Sequence, residues 1–194
     1  MDTSSEPILW RGFTRAQLDA AYDNANAVAD SVQRREDWTA RSTRFRRDRP
    51  ELLDLAYGPR ERNRIDIFRC GRTKAPLFVY IHGGYWQRNS KEIFACLAEG
   101  PLAQGCDVAM IGYTLAPEVT LTEIVGETHA AIRWLRASAA QFNVDPNRIG
   151  VTGRSAGGHL SLMLGLTDHQ ASLEGDGGSP GQSSRVQAVV NVFG

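Results

Sequence analysis

The sequence lacks the features that would place it in a membrane. None of the apolar runs among its 194 residues approaches the roughly 18 residues that a membrane-spanning helix needs. The opening stretch, MDTSSEPILWRGF, has no apolar core of signal-peptide length. We therefore expect a soluble, cytoplasmic protein with no membrane partner.

Cysteine and net charge are also scarce. The three cysteines, Cys70, Cys96 and Cys106, are widely spaced and lack the CxxC pairs of zinc and redox sites, so we expect reduced, partly buried thiols. Lys and Arg number 22, as do Asp and Glu, and the formal net charge is zero. The chain therefore lacks the net positive charge whose electrostatic field would attract nucleic acid or an anionic surface. A small neutral partner is favoured over nucleic acid.

The first quarter of the chain has a helical pattern. Between Thr14 and about Asp48 no proline occurs. Apolar residues recur there at three- and four-residue intervals, at Leu18, Ala21, Tyr22, Ala25, Val28 and Ala29. This periodicity predicts an N-terminal helical arm, residues 1–50, followed by a second region, residues 51–194.

The end of this arm is rich in arginine, at Arg41, Arg44, Arg46, Arg47 and Arg49. Such a cluster is one way to build a phosphate-binding patch. Asp48, Glu51 and Asp54 lie close by in sequence, and the net charge is zero. We therefore interpret the cluster as a solvated helix face.

After Pro50 the pattern changes to short β-type runs: LLDLAYG, RIDIFRC, PLFVYIHGG, DVAMIGY, RIGVTG and VQAVVNVFG. Helices are predicted between the later runs, at Lys91 to Ala103, Leu121 to Phe142 and Ala156 to Leu166. The later strands are nearly all apolar, which is typical of parallel strands covered on both faces. The predicted fold class is α/β, with six strands in a mostly parallel sheet. Gly175 to Ser184, GDGGSPGQSS, is predicted to be a flexible loop.

The stretch GVTGRSAGGH presents a serine where a predicted strand meets a predicted helix. Gly153, Ser155 and Gly157 form the pattern GxSxG, which in this context indicates a nucleophile elbow. Glycine is needed on both sides because a strained turn brings neighbouring backbone close. The N–H of Ala156, at the start of the helix, would face a developing oxyanion. The alternative is a helix N-cap serine after a glycine turn.

A second stretch, IHGGYW, follows the most apolar predicted strand and favours the catalytic interpretation. Gly83 and Gly84 leave backbone N–H groups free to face a substrate oxygen. Both stretches come at the carboxyl end of a strand, where open α/β sheets place their sites.

HGGYW with GRSAGGH resembles the α/β-hydrolase superfamily. The stretch from HGGYWQRNSKEIF to GYTLAPE resembles its kynurenine formamidase-like (arylformamidase-like) branch, and AAYDNANAV resembles the N-terminal arm of that branch. The similarity extends from about Leu18 to Leu166. The segment LEGDGGSPGQSSRVQAVVNVFG is closer to bacterial feruloyl-esterase-like hydrolases.

The resemblance implies a nucleophile, an oxyanion hole and a pocket wall. Ser155 would be the nucleophile and Trp86 would wall the acyl or aryl pocket. The oxyanion hole would involve Gly83, Gly84, Tyr85 and Ala156. The implied reaction is hydrolysis of an N-formyl aromatic amide, or of a small carboxylic ester, through an acyl-enzyme, with neither metal nor organic cofactor. Tyr85 in place of a third glycine favours a formamidase, whereas the loop and last strand favour an esterase. Arg154 is compatible with the pattern but has no assigned role.

A serine nucleophile also needs a histidine base held by a carboxylate. In this family the acid and then the histidine follow the serine, after two further strands. We therefore expect residues 51–194 to be an incomplete hydrolase domain, truncated after about the sixth strand and close to inactive.

None of the four histidines is expected to complete a triad. His82 is predicted to hold the oxyanion loop by hydrogen bonding, and His159 to point away from the serine along its helix. His129 is interpreted as a partly exposed surface residue. His169 follows the serine without an acid-bearing loop between them.

Two further expectations concern association and function. The last predicted strand, VQAVVNVF, would be a sheet edge without charge, open to homodimerisation or aggregation. A functional alternative is a non-catalytic binding module that keeps an aromatic pocket around Tyr85 and Trp86.

Overall fold

The computed structural model describes residues 6–23, 26–174, 178–179 and 181–194. The chain divides into two compact units, Met1–Trp38 and Thr39–Gly194. The division after residue 50 remains a prediction.

The N-terminal unit contains a hairpin and helices. Strands β1 (Ile8–Trp10) and β2 (Phe13–Thr14) pair antiparallel. Helix α1 (Arg15–Tyr22) begins at a capping box, because the Thr14 side chain accepts from the N–H of Gln17 while the Gln17 side chain accepts from the N–H of Thr14. Helix α2, Ser31–Arg47, begins in this unit and continues beyond its last residue, Trp38.

The helical stretch predicted between Thr14 and about Asp48 comprises two helices, α1 and α2. Helix α1 ends at Asp23, whose φ and ψ of −81° and 75° are not helical. Its Oδ1 accepts from the N–H of Asn26 at 3.1 Å. Short Asp and Asn side chains compete with the helix for backbone donors, which explains the break. Residues 24 and 25 lie outside the described residues.

The main sheet has six strands, as predicted. They are β3 (Leu55–Ala56), β4 (Arg64–Phe68), β5 (Ala75–Ile81), β6 (Asp107–Ile111), β7 (Val144–Arg154) and β8 (Ala188–Val192). Their order is β3-β4-β6-β5-β7-β8. The β3/β4 and β4/β6 pairings are antiparallel, and the β6/β5, β5/β7 and β7/β8 pairings are parallel. The mostly parallel α/β sheet is confirmed, although the run from Leu52 to Gly58 contributes only two strand residues.

Helices cover the sheet. A 3-10 segment, Lys91–Ala98, leads into α3 (Glu99–Ala103), where a single helix was predicted. The predicted helix from Leu121 to Phe142 divides at Ser138 into α4 (Leu121–Ala137) and α5 (Ala139–Phe142). Periodicity alone does not resolve such changes within one or two turns. After β7 come α6 (Ala156–Thr167) and α7 (Ala171–Glu174).

The core lies between the sheet and helices α4 and α6. Its fully buried side chains include Ile65, Leu77, Val79, Ile81, Ile111, Ile124, Ile132, Ile149, Leu160 and Leu164. No helix in the part of the chain that the structure describes is long and apolar enough to cross a bilayer. Part of the predicted loop, residues 175–177 and 180, lies outside the described residues, while 178–179 and 181–184 form neither helix nor strand.

Two residues expected at the surface are not exposed: one is buried and the other is half-buried. His129 is fully buried, with its ring nitrogens 2.8 Å from Ser184 Oγ and 3.0 Å from Thr167 Oγ1. It was interpreted as a surface residue because sequence does not show that α6 and residues near Ser184 cover this part of α4. Arg46 is the second, since its side chain is only 19% exposed. The other four arginines of the cluster are exposed.

The three cysteines are free, Cys96 buried and the other two half-buried, in agreement with the prediction.

Candidate active site

The parallel register brings the two glycine-containing stretches to one edge of the sheet. Ile81, the last residue of β5, pairs with Ile111 of β6 and with Gly153 of β7. Because the carboxyl ends of these strands coincide, the loop that begins at His82 lies beside the turn at Ser155.

Ser155 occupies a strained turn between β7 and α6. Its φ and ψ are 58° and −123°, a region that non-glycine residues rarely adopt. A Cβ on Gly157 would overlap the carbonyl of Ile81, and one on Gly153 would overlap the backbone of Gly157. The glycines therefore allow the turn to pack tightly, and Ser155 itself is exposed. Ala156, the first residue of α6, is buried.

Gly83 packs directly against this turn. A Cβ on Gly83 would overlap the carbonyl oxygen of Arg154 and lie 3.3 Å from the Cβ of Ser155. The side chain of Arg154 is exposed. The contact between Gly83 and Ser155 is the geometry that GxSxG and HGG together predict.

His82 holds the first turn of this loop through a hydrogen bond, as predicted. Its Nδ1 lies 2.9 Å from the Gly83 carbonyl oxygen. Since a carbonyl only accepts, Nδ1 carries the proton. The ring is fully buried and stacks on Tyr113, with ring centroids 4.3 Å apart. Burial lowers the pKa of His82 to about 4, so the imidazole is neutral at pH 7.

Aromatic side chains follow the glycines. Tyr85 and Trp86 have φ of 55° and 57°, and their ring centroids are 5.5 Å apart. Tyr85 is exposed, whereas Trp86 is half-buried and meets His159 edge-on at 5.2 Å. Trp86 Nε1 and His159 Nδ1 are buried, with no hydrogen-bond partner among the described residues. Burial also lowers the pKa of His159.

Among the described residues, no side chain makes a hydrogen bond with Ser155 Oγ. His82 is stacked on Tyr113, and His159 contacts Trp86. His129 is bound to Ser184 and Thr167. His169 is exposed, with Nδ1 3.4 Å from Asp168. The site therefore assembles a serine and a glycine loop, and none of the four histidines is in place as a base.

A buried ion cluster lies just after this loop and was missed by the sequence reasoning. Lys91 Nζ, only 3% exposed, is 2.5 Å from Asp54, 2.7 Å from Asp66 and 2.7 Å from Glu92. Arg46 also binds Asp54 and Asp66. Burial opposes the charge on Lys91, but attraction to Asp66 and the hydrogen bonds to the three carboxylates together outweigh it and raise the lysine pKa. Burial likewise opposes ionisation of Glu92, but hydrogen bonds from Lys91 and Ser90 lower its pKa to about 2.

A separate cleft of about 390 Å³ lies between the loop after β3 and helix α4. Its lining includes Tyr57, Arg60, Glu123, Glu127 and Leu173. Arg60 is already paired with both glutamates at 2.9 Å. None of the lining residues belongs to the Ser155 turn or to the loop from His82, so Ser155 and not the cleft marks the candidate active site.

Known proteins with this fold include several esterases. A truncated carbohydrate esterase from gut microbiota superposes with a TM-score of 0.68 at 29% identity, covering 72% of this chain and 55% of that one. Esterase LipC of Mycobacterium tuberculosis is 34% identical over 149 residues, which is 72% of this chain and 36% of LipC. Kynurenine formamidase of Danio rerio is 28% identical over 167 residues, which is 82% of this chain and 56% of the formamidase.

The mixed sheet with its flanking helices, together with these similarities, defines the class: the protein belongs to the α/β hydrolases and is similar to esterases and formamidases. The BD-FAE family model matches residues 65–194, so the chain belongs to the BD-FAE family. The chain spans between about a third and just over half of the length of these two curated relatives.

Proposed function

We propose that this protein is a serine hydrolase that transfers an acyl group to water, with Ser155 as the nucleophile. The observation that carries the proposal is the exposed Ser155 at a φ of 58°, between a strand and a helix, with Gly83 packed against it. Strain of this kind costs about 1–3 kcal/mol and persists where function needs it. A serine that only capped the helix would place its side chain on a backbone N–H, and α6 shows no such bond.

The proposed reaction has two steps. Ser155 Oγ attacks the acyl carbon, forming a C–O bond while a general base takes its proton. The tetrahedral oxyanion collapses with loss of the amine or alcohol, which regains a proton. Water then hydrolyses the acyl-enzyme. The backbone around Gly83, Gly84, Tyr85 and Ala156 forms the oxyanion hole, in which each donor is typically worth ~100- to 1000-fold in rate.

The proposed substrate is an N-formyl aromatic amide such as N-formylkynurenine. Support comes from the similarity to kynurenine formamidase and from the neighbouring rings of Tyr85 and Trp86, which lie in the loop whose Gly83 packs against Ser155. The second candidate is a small or aromatic carboxylic ester, which the similarity to esterase LipC favours.

We also propose that the 194-residue chain alone acylates slowly and turns over poorly. The reason is geometric: the imidazoles of the four histidines make other contacts or are exposed, and none forms a hydrogen bond with Ser155 Oγ among the described residues. Loss of one triad member can cost about a million-fold in turnover, leaving a ~1000-fold advantage over water from the oxyanion hole and binding.

The test is covalent labelling of the purified chain with a fluorophosphonate, read by intact mass and peptide mapping. We expect one adduct, on Ser155, that is absent in Ser155→Ala and present in Ser183→Ala, which changes another exposed serine. Incubation with N-formylkynurenine or with p-nitrophenyl acetate then distinguishes a formyl from an acetyl adduct. Ligand-dependent tryptophan fluorescence without any adduct would instead support a non-catalytic binding module.

A further inference from the structure

Loop 82–90 is closed by hydrogen bonds to two successive carbonyls. The Gly84 carbonyl accepts from the N–H groups of Gln87 and Arg88, at 3.0 and 2.9 Å. The Gly83 carbonyl accepts from His82 Nδ1 at 2.9 Å and from the side-chain amide of Asn89 at 3.0 Å. Asn89 is therefore the residue that connects the far end of the loop to its glycines.

The backbone of Asn89 suits this role. Its φ of 73° is left-handed, a conformation that asparagine tolerates better than most other residues. A Cβ on Gly84 would lie 2.7 Å from Asn89 Nδ2, which shows how closely the amide approaches the glycine backbone. Only an unsubstituted residue 84 leaves room for this contact.

Asn89 is itself fixed from the neighbouring strands. Arg62 donates to the Asn89 carbonyl at 2.6 Å and to the Tyr113 carbonyl at 2.9 Å. The hydroxyl of Tyr113 in turn donates to the His82 carbonyl at 2.9 Å. The loop is thus clamped between the segments that precede β4 and follow β6.

These contacts determine how the Gly83–Gly84 peptide is oriented. Hydrogen bonds from the side chains of His82 and Asn89 occupy both lone pairs of the Gly83 carbonyl oxygen. This oxygen therefore faces those two side chains. In a trans peptide the following N–H points the opposite way. The N–H of Gly84 is therefore directed away from Asn89, in a loop whose Gly83 packs against Ser155.

We propose that Asn89 is a positioning residue for the oxyanion hole: its side-chain amide fixes the Gly83–Gly84 peptide so that the Gly84 N–H serves as a donor to the oxyanion. The proposal rests on Ser155 acting as the proposed nucleophile. Asn89 touches neither substrate nor reacting atoms and acts only through the peptide.

Two variants isolate the amide. Asn89→Gly keeps the left-handed backbone and the carbonyl that Arg62 binds, but removes the donor. Asn89→Asp keeps the shape but places a carboxylate against the Gly83 carbonyl. Gln87→Ala is the matched control, because Gln87 lies in the same loop with an exposed side chain. Melting temperatures of all four chains establish that they fold alike, and Asn89→Asp carries the test if Asn89→Gly does not fold.

The measurement is fluorophosphonate labelling of the 194-residue chain over a series of probe concentrations. We expect the maximal labelling rate of Ser155 to fall about ten- to hundredfold in Asn89→Gly, short of the ~100- to 1000-fold typical of a lost donor. The half-saturating concentration should stay constant. Asn89→Asp should also label more slowly than the unmodified chain. The difference between the two labelling rates should shrink as pH falls, because a protonated carboxyl can donate a hydrogen bond to the Gly83 carbonyl.

The outcomes separate the two proposals. An unmodified chain that is not labelled at Ser155 refutes the proposed nucleophile, and the role of Asn89 with it. Normal labelling of Asn89→Gly overturns the role of Asn89 alone. The role of Asn89 would also be overturned if Asn89→Asp labelled more slowly than the unmodified chain by the same factor at every pH. Hydrogen-bond donation by the side chain would then have no effect on labelling.

Discussion

The backbone carbonyl of Arg154 occupies the space in which a side chain on Gly83 would begin. Replacing Gly83 by alanine must therefore push loop 82–90 away from the Ser155 turn. We expect Gly83→Ala to lose about 1–3 kcal/mol of unfolding free energy, as overpacking usually costs, and most of its Ser155 labelling. Chemical denaturation and fluorophosphonate labelling measure the two effects.

Gly100→Ala is the matched control for this prediction. Gly100 lies in α3, and a Cβ there would meet nothing within 4 Å. Alanine is the better helix former by up to about 1 kcal/mol, so stability should hold or rise while labelling is unchanged. Equal behaviour of the two variants would show that the loop does not depend on close packing at Gly83.

The buried His82 predicts a loss of stability at mildly acid pH. Its folded pKa of about 4 lies below the ordinary value of 6.5, so the unfolded chain binds a proton first as pH falls. Stability is fully present above pH 6.5 and decreases as pH falls towards 4, by about 3 kcal/mol for this group. His82→Asn should flatten this slope while retaining a donor for Gly83. Urea denaturation at a series of pH values measures it.

The control for His82 is His169→Asn, which changes an exposed histidine. It should leave the slope unchanged. In His82→Asn the unfolding free energy should still decrease somewhat as pH falls, because burial also lowers the pKa of His159. An unaltered pH dependence in His82→Asn would contradict the assignment.

The ion cluster at Lys91 predicts a large cost for removing one charge. Lys91→Met leaves Asp66, which is fully buried, with Arg46 as its remaining cation. Breaking a buried pair typically costs about 3–5 kcal/mol, and we expect a loss in that range by chemical denaturation. Arg15→Met, which removes an exposed pair with Asp19, should cost far less. Similar losses in both would show that burial does not strengthen the cluster.

Strand β8 predicts self-association of the 194-residue chain. It pairs with β7 on one side and ends the strand order of the described sheet. Val190 and Val192 are 54% and 37% exposed there. We expect concentration-dependent association in light scattering, which Val190→Lys should suppress because charge blunts a sheet edge. Val32→Lys, a matched change in α2, should not. A monodisperse monomer at every concentration would contradict this expectation.

The parts of the fold that depend on local pattern could be predicted from the sequence. Strand and helix alternation gave the sheet, and glycine spacing placed Ser155 and Gly83 at the same edge. The parts that depend on distant segments could not be predicted. Two of the three carboxylates that bind Lys91, those of Asp54 and Asp66, come from separate stretches of chain. The residues that cover His129 lie near Thr167 and Ser184. For the proposed role of Asn89, the one indication in the local sequence is that an asparagine lies in a glycine-containing loop.

The amide of Ser155 donates to the carbonyl of Val192 in β8, at 2.8 Å. The proposed nucleophile is therefore tied by its own backbone to a strand made some forty residues later. During synthesis the turn cannot take its final shape until that strand has left the ribosome and docked. The nascent chain would thus carry Ser155 without its final backbone hydrogen bond until β8 docks, and exchange of that single amide with solvent would report when the turn is complete.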